Sequence, residues 1–143
     1  HRVHKIKFCD NEITSYDLWN SCIKNNSVSF LNFFTGAGGV LYPKNSLYKD
    51  VSDEDLFLKL APMADDVWFW AMAVMAETKT KVVDEPINEL IYVNNKREFG
   101  LSNEMTLAKL NVEENQNDIQ IKAVSDYYPK IKETLLNEIS IGV

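Results

Sequence analysis

The segment that most constrains this chain is the run VWFWAMAVMA at 67–76. At helical periodicity it places Val, Trp, Phe, Ala and Met side chains on nearly every face, so no side is left to meet water. A helix of that kind lies inside an assembly of other elements rather than on its surface. The run is also far shorter than the roughly 20 apolar residues that a membrane span requires. The opening HRVHKIKF does not have the basic-then-apolar pattern of a secretory leader.

Enough apolar material surrounds this segment to bury it. Of 143 residues, 45% are hydrophobic and 11% aromatic, the composition of one globular domain spanning 1–143 with a sizeable core. Fifteen Lys and Arg stand against twenty-one Asp and Glu, for a net charge of -6. That balance excludes the electropositive surface that non-specific nucleic-acid or anionic-membrane binding needs. Cys9 and Cys22 are too few for a disulfide framework or a zinc site, which places the expected compartment in the reducing cytoplasm.

Local patterns give a coarse map of the remainder. Residues 1–8 alternate as an edge strand, with His4, Ile6 and Phe8 on one side, and Asp10-Asn11 reads as a turn into a short strand near Ile13. Tyr16 to Trp19 is an aromatic loop or helical turn. The stretch 28–34 (VSFLNFF) reads as one buried strand that stops at the glycine loop GAGG, and a short strand follows at 40–42. Further strands are predicted at 81–83 and 90–93. Helices are predicted at about 104–110 and 115–127, with a last one after Pro129.

Residues 50–66 hold six acids (Asp50, Asp53, Glu54, Asp55, Asp65, Asp66) and a single base, Lys59. Two helix starts account for much of this. Ser52 is a suitable N-cap, with Asp53 to Asp55 in a first turn where the helix dipole favours anions, and Pro62 is placed to open the apolar helix with Asp65 and Asp66 near its start. The only Asp-x-Asp, Asp53-Glu54-Asp55, is read as helix-start charge.

Two features carry chemistry beyond this. GAGG lacks the spacing of a dinucleotide fingerprint and has no Lys-Ser/Thr after it, so alone it means close backbone approach to a ligand or a strand, or simply a bulge or tight turn. Asp65-Asp66 is either helix-start charge or a functional pair. It leads directly into Val67-Trp68-Phe69, and a carboxylate beside a large aromatic face suits carbohydrate, whose flat apolar faces rest on Trp while hydroxyls bond to acids. His1 and His4 could face a site but lack a third ligand for a metal. Asn117-Asp118 reads as a helix cap or an acceptor contact, and Met63, Met72 and Met75 as core filling.

A basic strand, FTGAGGVLYP, a short acidic helix, LAPMADDVWFW, a strand near KVV and NQNDIQIKAV follow one another over most of 1–128. In this order they resemble the second half of bacterial GT-A-fold glycosyltransferases of the cell-surface polysaccharide type. The resemblance implies an α/β chain with a partial Rossmann-like fold, a mixed sheet with flanking helices, lacking the N-terminal nucleotide-binding half. It implies transfer of a sugar from a nucleotide-sugar donor to an acceptor hydroxyl of a glycan. Gly36, Gly38 and Gly39 would line the donor-sugar pocket and Trp68 would contact substrate. Asp66 would be the catalytic base, held ionised with a low pKa by the helix dipole, and Asp65 would orient it or bind a sugar hydroxyl.

Any divalent metal, Mg or Mn, would be held mostly by ligands outside this chain, since the Asp-x-Asp found here comes after the glycine loop rather than before it. Gln-x-x-Arg-Trp, the signature of processive synthases, is absent. The start at His1 suggests a piece of a longer protein, inactive alone, that would self-associate through the apolar helix and meet membranes only through missing parts. The competing readings are a non-catalytic carbohydrate-binding module, with Trp68, Trp70 and the acids as its ligand surface, and an oligomerisation domain.

Overall fold

The computed structural model describes residues 2–36, 39–84 and 115–141. The described residues form a mixed α/β arrangement. Six short strands, β1 (Val3–Lys5), β2 (Phe8–Cys9), β3 (Glu12–Ile13), β4 (Val28–Ser29), β5 (Asn32–Phe34) and β6 (Thr80–Lys81), pair antiparallel as β1–β5, β2–β3 and β4–β6. Four helices accompany them: α1 (Glu54–Leu60), α2 (Asp65–Met75), α3 (Gln116–Tyr127) and α4 (Lys130–Ile141). No parallel pair occurs among the described residues, so the mixed sheet expected from the sequence is present only as three antiparallel pairs. The strands and helices expected at 90–93 and 104–110 lie outside the described residues.

The first strand is not an edge. On one side β1 pairs with β5 in the register Val3↔Phe34, His4↔Phe33, Lys5↔Asn32. On the other, Lys5 bridges Asn20, and the Ile23 N–H donates to the Val3 carbonyl at 2.9 Å. Alternation suggested one solvated face, yet Val3, His4 and Ile6 are all buried. The β2–β3 hairpin follows from its turn, because Asp10 and Asn11 both take left-handed φ values, 51° and 63°, that Asn and Asp tolerate and tight hairpins require.

The run 28–34 is two strands rather than one. It breaks at Phe30-Leu31, where the Phe30 N–H donates to Glu138 of α4 and the Leu31 N–H to Ser29 Oγ. The break carries Asn32 into the interior, where its amide nitrogen donates to the Ser27 and Thr80 carbonyls. Residues 40–42 form a loop rather than a strand, and the strand expected at 81–83 is the shorter β6, which starts one residue earlier and ends two residues earlier.

Helix α2 is the centre of the core. Val67, Trp68, Trp70, Ala71, Met72, Ala73 and Val74 are all buried on it. They pack with Phe33 of β5, Ile121 and Val124 of α3, and Ile131 and Leu135 of α4. Full burial of each large apolar side chain favours folding by about 1.5–3 kcal/mol. The indole N–H groups are not left unpaired, since Trp68 Nε1 donates to the Val51 carbonyl and Trp70 Nε1 to that of Phe30. Most of the apolar surface of α2 is covered within the fold, and Phe69 and Met75 are its partly exposed apolar residues. Large apolar side chains exposed on the surface include Leu18, Leu41 and Val83.

Both helix starts are shifted from expectation. Ser52 closes a 3-10 turn, Lys49–Ser52, and Asp53 caps α1 by accepting the Leu56 N–H at 3.0 Å. Helix α2 begins at Asp65 rather than Pro62, because the Met63 N–H is drawn off to Gln120 Oε1 of α3 at 2.9 Å and Ala64 keeps a non-helical φ of -141°. The two acids are thus the first helical residues. Asn115, with φ 52°, precedes α3, and Pro129 separates α3 from α4.

Candidate functional site

The start of α2 lies against the end of β5. The Thr35 N–H donates to the Arg2 carbonyl at 2.9 Å, extending the β1–β5 ladder by one step and setting Gly36 just beyond it. A Cβ added at Gly36 would stand 4.0 Å from Asp65 Oδ2, so the glycine loop and the acidic pair are neighbours. This is ordinary contact distance, and Gly36 is not required by crowding. Gly39 does need glycine, for its φ of 83° rather than for space, since nothing lies within 4 Å of its Cβ position. Gly38 lies outside the described residues, as does His1.

The two acids differ in environment. Asp65 is exposed, with Oδ1 accepting the Asp66 N–H, while Asp66 is half-buried and its Oδ1 accepts the Val67 N–H, each at 3.0 Å. Helix-dipole reasoning predicts a low pKa for Asp66. The structure reverses it. Burial, and then the charge of Asp65, push the Asp66 carboxyl up to about 6, against the backbone hydrogen bonds and the Arg2 charge that pull it down. Desolvation wins because the dipole of one helix end contributes only about 0.3–1 kcal/mol, whereas a buried carboxylate loses most of its water. Among the described residues no Lys or Arg pairs directly with Asp66.

Tertiary packing brings in three residues that no local pattern pointed to. Tyr16 sits in the 3-10 turn Tyr16–Leu18, and its ring packs against His4, Trp19 and Phe33. Its hydroxyl is pushed up to about 12, by burial first and then by Asp66. Tyr42, in the loop after the glycines, packs on Phe34 and Phe69 and is likewise pushed up to about 12 by burial, Asp65 and Asp66. Arg2 is exposed, faces Asp66, Tyr16 and His4 electrostatically, and has no carboxylate bound among the described residues. The turn carrying Tyr16 is held by α3, because Asp118 accepts both Ser15 Oγ and the Tyr16 N–H at 2.7 Å.

Trp68 does not belong to this surface. It is 1% exposed, in the core, with its ring against Phe57 and Tyr128, so it offers no face to a sugar. Trp70 is equally enclosed. The expectation that either indole forms a ligand platform is corrected: the apolar periodicity that marked the helix as buried already applied to both rings.

His4 is 6% exposed, and its Nδ1 accepts the Cys22 N–H at 3.3 Å. That bond assigns the neutral tautomer with the proton on Nε2, and burial followed by the Arg2 charge holds the imidazole pKa below its ordinary value. Among the described residues no three of His, Cys, Asp or Glu converge as a ligand set. Asp53 and Asp55 lie at the start of α1 as helix-start charge, the former capping it. Among the described residues no helix is long and apolar enough to cross a membrane.

No protein-family model, no curated protein and no solved structure matches the chain.

Proposed function

We propose that the chain is the acceptor-side part of a GT-A-type glycosyltransferase and that Asp66 is its general base. The observation that carries this reading is the state of Asp66: a half-buried carboxylate beside the glycine loop, with its pKa raised to about 6. Such a group is ionised at neutral pH yet holds a proton far better than an ordinary aspartate, as a base working near neutrality must. In the reaction an acceptor hydroxyl oxygen bonds to the anomeric carbon as the bond from that carbon to the nucleoside diphosphate breaks, and the electron pair leaves with the diphosphate. Asp66 takes the hydroxyl proton. Asp65, exposed beside it, raises the basicity of Asp66 and offers a carboxylate to a sugar hydroxyl. Gly36 lets the donor sugar approach, and residues other than these bind the nucleoside and diphosphate.

The test is Asp66→Asn in the longest gene product that contains these residues, assayed with uridine and guanosine diphosphate-sugars. Turnover is expected to fall by about a hundred- to ten-thousand-fold with donor affinity unchanged, and wild-type turnover to rise with pH through about 6 and then level off. Retention of more than about a tenth of turnover would show that Asp66 is not the base. The pair would then be a hydroxyl-binding feature of a non-catalytic carbohydrate module.

A further inference from the structure

A groove of about 430 Å³ runs beside the candidate site. Its floor is apolar, from Val3 and Phe34 on the β1–β5 pair, Ala73 of α2, and Val82. Its rim is mixed, with Thr78, Lys79, Thr80, Lys81, exposed Val83 and Asp84 on one side and the loop 39–43, which carries exposed Leu41, on the other. The volume lies in the range of small-molecule sites, roughly 300–1,000 Å³.

Two features of the groove are left unexplained by folding. The first is Tyr42, which lines it and is close enough to the acidic pair for both carboxylates to act on its hydroxyl. The ring packs tilted against Phe69 at 5.4 Å and edge-on to Phe34 at 5.8 Å, yet remains partly exposed. Tyr42 is therefore an immobilised aromatic surface joining groove and acids. The second is Ser46, also in the wall, which is only 7% exposed and whose Oγ has no hydrogen-bond partner. A buried hydroxyl without a partner is destabilising, and such groups are uncommon in folded proteins.

We infer that this groove is the acceptor-glycan subsite, in which a sugar ring rests on Tyr42 and a glycan hydroxyl reaches Ser46. The inference builds on the glycosyltransfer reading by stating where the acceptor lies. Carbohydrate is the occupant that matches the lining. A pyranose has an apolar C–H face for the aromatic ring and the apolar floor, and hydroxyls around its edge for Ser46, the threonines and the charged rim. A wholly apolar ligand would leave Ser46 and the threonines unpaired. A second polar surface, near Ser15, Asp118, Lys122 and Ser125, also holds a buried hydroxyl without a partner, Ser125 Oγ, but lacks any aromatic ring among its described lining, and so serves as the control for Tyr42.

The experiment is a titration of the ¹⁵N-labelled 143-residue chain with lactose, cellobiose and chitobiose, followed by backbone amide shifts. At millimolar sugar, shifts confined to 39–46 and 78–84 are expected for at least one disaccharide. Tyr42→Ala should weaken that binding about tenfold, and Tyr42→Phe should leave it within about twofold. Ser46→Ala should weaken it severalfold. The shift map of the wild-type chain decides the matter even if a variant does not fold. No shifts with any of the three sugars, or shifts centred on the Ser15–Asp118 surface, would overturn the assignment. Binding that survives in Asp66→Asn supports the groove independently of catalysis. Loss of turnover in Asp66→Asn without disaccharide binding at the groove would leave the base intact and remove the subsite.

Discussion

If burial raises the proton affinity of Asp66, then removing its charge stabilises the fold, and the size of the effect follows from the structure. The carboxyl rises from an ordinary 3.8 to about 6. At about 1.36 kcal/mol for each factor of ten, holding Asp66 ionised costs about 3 kcal/mol in the folded state relative to the unfolded chain. Between those two values the folded state binds more protons than the unfolded one. Stability contributed by this group is therefore fully present below about 3.8 and is lost as pH rises through about 6. Asn keeps an oxygen to accept the Val67 N–H and carries no charge. Asp66→Asn should accordingly be more stable than wild type above the transition, by about 1–3 kcal/mol once relaxation and residual water are allowed for. The gain should vanish at low pH. Urea denaturation of both proteins at about pH 7.5 and about pH 4 reads this directly as a difference in midpoint at similar slope. An Asn variant less stable than wild type at the higher pH, or a difference independent of pH, would refute the argument. A gain in stability accompanied by loss of turnover is the pattern expected where a functional group is held in an unfavourable environment.

Two further outcomes follow from individual contacts. Asp53→Ala should cost about 0.5–2 kcal/mol through loss of the α1 cap, measured as a lower unfolding midpoint, while leaving turnover of the full-length gene product unchanged. For His4, burial and Arg2 hold the folded-state pKa below 6.5, so the folded chain binds fewer protons than the unfolded one as pH falls below that value, and stability from this group is lost in that window. An NMR titration should place the His4 midpoint below 6.5, and a midpoint above it would contradict the buried neutral tautomer.

What the sequence determined by itself was whatever depends on neighbours along the chain. The run at 67–76 leaves no polar face at helical spacing, so its burial was legible and α2 is indeed the core. Asp10-Asn11 called for a hairpin turn because those side chains tolerate left-handed backbone, and the acids before α1 and α2 marked helix starts to within a few residues. Tertiary structure decided what depends on neighbours in space. Whether Asp66 binds its proton weakly or strongly rests on the water excluded around it and on the nearness of Asp65, neither of which a helix-start rule contains. The company of Tyr16, Tyr42 and Arg2 arises because α3 pins one turn, the loop after Gly39 returns over Phe69, and the β1–β5 ladder sets Arg2 opposite Thr35. The two indoles are core rather than ligand surface for the same reason. An aromatic side chain beside an acid in sequence points into solvent or core according to what packs on the helix, and here strands and helices enclose it on all sides.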